Sequence, residues 1–507
     1  MKKIIFLCLT LLMAATQLFA QQEELATDLN IEGVFVKKYQ NYPKGYTFKL
    51  SKVVDVKSGG KSNLYLVMEE GSNSFALPLD RRKIINLTAS DVNSFWPTVF
   101  INHGMFEYFD KRGFNYAYRN ELQEEVQEYL EELANANLFY EDVWVEDYVQ
   151  QVFAEISPKN LHARFPEMRG IRILKSPSPD SYMLPDGTFM LTTGLLSVLD
   201  SREELVAMMA SEFTHYVLDH HIANILKASD RVDKAVMWSI LLGGVALVAD
   251  EVLAYKKEYY IPGTLSLSAA MISDVVFTQA SHRMGMNYPF AQKELADNIA
   301  KEYLRYNEMD TTALASALTK IKTYYESRKD FYPLSEEGAF YQVNKRILAL
   351  GEISSFDDRN YKRNMAGVTT FNAISQLLSK DYGTASWFIN KNIGNRMAVD
   401  EDYIIAAKVN MGLYNTPQKN KESLELVERA IQMSSDANLN AYKQRIIALM
   451  RLNRSLETRN AIDEYIDLLK TYQGQEYTVN EAEWILGEIT WATNLKNRYA
   501  QLTESLN

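Results

Sequence analysis

The stretch from Asp180 to His221, DSYMLPDGTFMLTTGLLSVLDSREELVAMMASEFTHYVLDHH, constrains the fold more than any other part of the chain. Asp186-Gly187 is a turn signal between Tyr182-Met183-Leu184 and Thr188-Phe189-Met190-Leu191, and that pattern predicts a short hairpin. Ser201 with Glu204 three residues later forms a capping box, which predicts a helix running on to His221. Within that helix stands Ser211-Glu212-Phe213-Thr214-His215, a carboxylate and an imidazole three residues apart.

The flanking segments set the architecture. Leu29 to Asp80 reads as β: Tyr46 to Leu50 alternates, Val53 to Val56 is branched and Asn63 to Met68 is apolar, with turn clusters at residues 58–61 and 70–73. A small antiparallel meander is expected there, as a packing or docking module. Glu121 to Ala136 and Asp142 to Ile156 carry apolar residues at helical spacing, and Ile171 to Leu174 reads as a strand. From Phe356 onward every segment is helical and the turns are short. An offset of 39 residues superposes Tyr403, Met411 and Leu413 on Tyr442, Met450 and Leu452. That period suits stacked helix hairpins of the tetratricopeptide type, which present a concave surface to a partner. The fold class expected is α+β, mostly α.

The first twenty residues read as an export leader. Lys2 and Lys3 precede the apolar run Ile4 to Ala15, and cleavage near Ala20 would remove Cys8, the one cysteine. The mature chain would then be held by packing alone, in the periplasm or outside the cell. The domains expected are a leader at 1–20, the β module at 21–90, a central domain at 91–352 and the helical tail at 353–507. A net charge of −11 argues against a nucleic-acid partner. Ala235 to Ala249 is uncharged but too short to span a bilayer, so 235–280 is expected as a buried or interfacial hairpin that could touch a membrane surface.

The Asp180–His221 run resembles peptidase family M48, the gluzincins that include HtpX-like and CaaX-prenyl endopeptidases. The likeness rests on Leu184-Pro185-Asp186-Gly187, Thr192-Thr193-Gly194-Leu195-Leu196, Glu203-Glu204-Leu205 and the Ser211–His215 motif. It implies a zincin-like domain over roughly Leu122 to Gly351, with Tyr182, Met183 and Leu184 as peptide-cleft candidates. In that family two histidines four apart hold Zn²⁺ and the intervening glutamate takes a proton from the metal-bound water.

This sequence departs from the pattern. Ser211 replaces the first histidine, leaving Glu212 at the base position and His215 as the one remaining ligand. Aligning Ala296-Asp297 with the family's Ala-Asp places Lys293 where a ligand glutamate belongs. Glu294 is one residue away, and one helical step turns a side chain by about 100°. A hydroxyl is a poor zinc donor and an ammonium repels a dication. The expectation is a degenerate site without a metal cofactor, in which the Lys293 ammonium fills the vacated volume and pairs with Glu212. Asp297 and His220 match supporting positions around the site, and His221 is expected to face solvent. His103 and His162 have no suggestive neighbours.

The function expected is a non-catalytic scaffold that binds envelope proteins or extended peptides. The alternative is an active zinc metalloendopeptidase with altered ligands, such as His215, His282 and Glu294.

Overall fold

The computed structural model describes residues 22–58, 61–70, 73–105, 114–157, 170–229, 288–327, 339–435, 437–473 and 479–504. The leader, the 235–280 segment, His162 and His282 lie outside them. The described residues are α+β and mostly α, and they fall into two compact units, the first holding those up to Tyr324 with 339–358 and the second 325–327 with 359–504.

The first unit opens with an antiparallel sheet of β1 (Gln22–Ala26), β2 (Ile31–Phe35), β3 (Thr47–Ser58), β4 (Lys61–Glu70), β5 (Asn73–Pro78) and β6 (Ile85–Ala89). The order is β5-β4-β3-β2-β6, with β1 also on β3. The hairpins from β2 to β5 form the expected meander, and β1 and β6 add to it. Alternation buries Ile31, Phe35, Ile85, Leu87 and Ala89 and turns Glu32, Asn86 and Thr88 outward. Gly33 lies opposite Phe48, and a Cβ there would stand 2.2 Å from the Phe48 ring. Only glycine lets that ring lie across β2.

Helix α1 (Phe95–Asn102) packs on β6, and its Trp96 meets Phe213 edge to face at 4.7 Å. That contact joins the sheet to the next layer. There, α2 (Phe114–Asn135) and α3 (Val143–Ile156) precede β7 (Gly170–Leu174), β8 (Ser181–Met183) and β9 (Thr188–Thr192). The strands form a three-stranded sheet ordered β7-β9-β8, in which β7 is parallel to β9 and β8 is the expected hairpin partner. Helix α4 (Thr193–Val198) follows at once. A Cβ on its Gly194 would meet the Pro177 carbonyl oxygen at 2.2 Å, so the backbones can approach only because that position is glycine.

Helix α5 (Arg202–Val217) carries the capping box in full, with Ser201 Oγ accepting from Glu204 N–H and Glu204 accepting from Ser201 N–H. It does not continue to His221. Asp219 takes a left-handed conformation (φ 53°), and α6 (His220–Ser229) starts in a new direction. Helices α7 (Phe290–Tyr306), α8 (Ala313–Glu326) and α9 (Ala339–Leu350) complete the unit, with α7 packed on both α5 and α9.

The second unit holds α10 (Arg359–Leu378), α11 (Tyr382–Gly394), α12 (Asp400–Leu413), α13 (Pro417–Met433), α14 (Leu439–Arg451), α15 (Ser455–Tyr472) and α16 (Val479–Glu504). Each packs against the next, and α10 also meets α12 while α12 meets α14. Tyr403 and Met411 on α12 are buried in one core, with Tyr442 and Met450 on α14 packed against it.

A buried guanidinium at the candidate zincin site

Ser211, Glu212 and His215 lie on α5, Lys293 and Asp297 on α7, and the α5–α7 contact brings them together. Ser211 is fully buried, and its hydroxyl donates to Asp297 Oδ1 at 2.9 Å. The cation that enters this space is Arg346 of α9. Its Nε donates to Asp297 Oδ2 at 2.8 Å, and its Nη2 donates to Asp297 Oδ1 at 2.7 Å and to Ser211 Oγ at 3.4 Å. The two-point fork is the strongest geometry available to a guanidinium and a carboxylate. Burial opposes the Arg346 charge, but Asp297 outweighs it and raises the pKa above its ordinary value.

Lys293 is therefore not the cation in contact. No Lys293–Glu212 ion pair forms among the described residues; the two groups act on each other through space. Burial lowers the Lys293 pKa, and the Arg346 charge lowers it further against the pull of Glu212 and Asp297. Burial also pushes the Glu212 carboxyl up to about 7, although Arg346 and Lys293 draw it down. Glu294, on the next step of α7, is exposed and turned away from the site.

The histidines form a second cluster. His215 and His220 meet Nδ1 to Nδ1 at 2.8 Å, and the His215 ring stacks on Tyr288 with centroids 3.6 Å apart. Burial, and then His220, hold His215 well below its ordinary pKa; burial, and then His103, bring His220 to about 4. Both rings are thus neutral, and one Nδ1–H donates to the other's lone pair. His103, which showed no suggestive neighbour in the sequence, is close enough to act on His220.

His221 does not face solvent: it is 2% exposed, because the break at Asp219 turns it inward. Its Nε2 lies 2.8 Å from Met183 O and 2.9 Å from Tyr288 Oη. A carbonyl can only accept, so Nε2 carries the proton and the Tyr288 oxygen shares it. Tyr182, Met183 and Leu184 are all buried, with the Tyr182 hydroxyl 3.2 Å from that of Tyr129.

Among the described residues no group of three His, Cys, Asp or Glu side chains is placed to hold a metal ion. The donors present do not suit zinc: the Ser211 hydroxyl is committed to Asp297, the His215 Nδ1 to His220, and two cations stand where an anion should face a dication.

Arg346 and Tyr288 were not singled out in the sequence. The signal for Arg346 was there, as the one charge in Val343, Arg346, Ile347 and Leu350, a stripe at helical spacing. Tyr288 precedes its helix and carried no comparable signal.

Residues 143–381 match the model of Peptidase family M48, and no curated protein matches the chain. With the hairpin, the capped helix and the Ser211–His215 motif all inside the matched segment, the chain carries a domain of peptidase family M48 over these residues.

Proposed function

We propose that this protein is a non-catalytic member of its family, a binding factor for extended peptides or for proteins of the bacterial envelope. The observation that carries the reading is the Arg346–Asp297–Ser211 knot. The hydroxyl that replaces the first ligand histidine is bonded to Asp297, and the same carboxylate is held by a buried guanidinium that would repel a dication. Family membership does not by itself confer an activity; the site must supply it. Binding needs no metal, because the outer side of β8 is an edge on which an extended peptide can add a strand. Since Tyr182, Met183 and Leu184 are buried, such a peptide would be read by the backbone. It would also have to compete with His221 for the Met183 carbonyl. Export through the 1–20 leader and the helical tail as a second contact surface belong to the same proposal.

The second reading is a working metallopeptidase, and one observation favours it. A carboxyl near pH 7, as at Glu212, has the basicity of a general base. Metal analysis separates the two readings. Under the first, protein equilibrated with zinc holds well under one equivalent, and Ser211→His combined with Lys293→Glu raises that content. Stoichiometric zinc in the unaltered chain, with peptide cleavage lost on chelation and in Glu212→Ala, would overturn it.

A further inference from the structure

Away from the zincin site, the first unit carries a basic, tyrosine-rich face on an otherwise acidic chain. Between Gly33 and Val54 there are five lysines and no aspartate or glutamate, in a protein of net charge −11. The β2–β3 connection holds Lys37, Lys38 and Lys44, all exposed, among Tyr39, Tyr42 and Tyr46. None of the three lysines has a carboxylate at ion-pair distance among the described residues. The Val36 N–H donates to Ile84 O at 2.8 Å, continuing the β2–β6 pairing by one step. That brings Lys37 and Lys38 alongside the short helix Leu79–Ile84, on which Arg81 and Lys83 are exposed together with one acid, Asp80.

The face is built rather than loose. Tyr39 and Tyr42 exchange backbone hydrogen bonds at 3.0 and 2.8 Å, and the Gly45 N–H donates to Phe35 O at 2.8 Å. Tyr42 stacks on Phe75 at 4.4 Å and on Phe35 at 5.6 Å, while Tyr39 stacks on Phe35 at 6.1 Å. The aromatic rings thus hold the turn that carries the three exposed lysines.

We propose that this face docks the protein on an anionic lipid surface. Exposed lysines attract anionic headgroups, and the half-buried tyrosines serve to hold the turn that carries those lysines. The same cations could meet a nucleic acid, but the rings are stacked on one another instead of being offered to bases, which disfavours that partner. The acidic remainder of the chain is repelled by the same surface, so the protein would land in one orientation.

The test is co-sedimentation of the full chain with phosphatidylcholine vesicles, with and without phosphatidylglycerol, at low and high salt. Binding is expected only with the anionic lipid, and added salt should release it. Lys37→Glu, Lys38→Glu and Lys44→Glu together should weaken binding more than a hundredfold, at about fivefold per lysine. The corresponding Lys→Gln triple should give a smaller loss with an unchanged circular dichroism spectrum. A charge-matched control on the helical unit, Lys421→Glu with Lys470→Glu and Lys496→Glu, should bind as the parent does. The proposal is overturned if binding ignores lipid charge or if the control loses as much as the triple. Tighter capture of an oligonucleotide or a polyglutamate through these lysines would also overturn it.

Discussion

Arg346 is 7% exposed, Asp297 is 2% exposed, and each is the other's counter-charge. Removing one partner leaves a buried charge unmatched, which typically costs about 3–5 kcal/mol. Arg346→Met should therefore lower the unfolding free energy by about that much in urea titrations, while Arg346→Met with Asp297→Asn loses clearly less. Proton linkage gives a second expectation at the same site. The folded pKa of Glu212, about 7, lies above the ordinary 4.5, so the protonated carboxyl adds stability that is complete below 4.5 and lost as the pH rises through 7. For His220 the sign is opposite: its folded pKa of about 4 lies below 6.5, so its contribution is present above 6.5 and lost as the pH falls toward 4. Unfolding free energies of the parent minus those of Glu212→Gln should accordingly fall between pH 4.5 and 7. A difference independent of pH across that window would show that Glu212 titrates as it does in water. The sequence named Ser211, Glu212, Lys293 and Asp297 because they occupy motif positions. It did not name Arg346, whose partner lies 49 residues away.

At the level of elements, local chemistry was readable wherever it closes within a few residues. The Ser201–Glu204 capping box and the Asp186-Gly187 turn formed as expected, because each is satisfied by its immediate neighbours. The helix end was not readable. Nothing in His215–His221 stops a helix as a proline would, yet Asp219 takes a left-handed conformation and ends α5. Strand β6 was also missed; its five residues become a strand by pairing with β2, fifty or more residues earlier. Gly194 is the sharpest case of an element fixed by its surroundings. Its α carbon faces the Pro177–Ser178 backbone, which cannot move aside as a side chain can. Gly194→Ala should cost about 3 kcal/mol or more by chemical denaturation, at the upper end of what overpacking does. A loss under about 0.5 kcal/mol would mean the loop yields freely.

On the scale of the whole molecule, the helical unit has a core of its own. Ile404, Val427, Ile446, Ile462, Tyr465 and Ala492 are buried together, drawn from α12 to α16. Glu488 of α16 adds a polar tie, accepting from Tyr465 Oη at 3.0 Å and pairing with Lys443 at 2.6 Å. A fragment spanning 359–507 is therefore expected to fold alone, with a helical circular dichroism spectrum and a cooperative thermal transition. A disordered fragment would contradict a self-sufficient core. Periodicity, turn residues and caps, which act over a few residues, were enough to place the strands of the hairpin, the helices α2, α3 and α5 of the first unit and the helical character of the tail. The family resemblance likewise followed from a contiguous run of motifs. Only the tertiary structure decided which cation fills the site, which way His221 faces and that Tyr288 lies against His215. Those outcomes depend on burial and charge pairing between helices far apart in the chain, where solvation and Coulomb energies are set by packing.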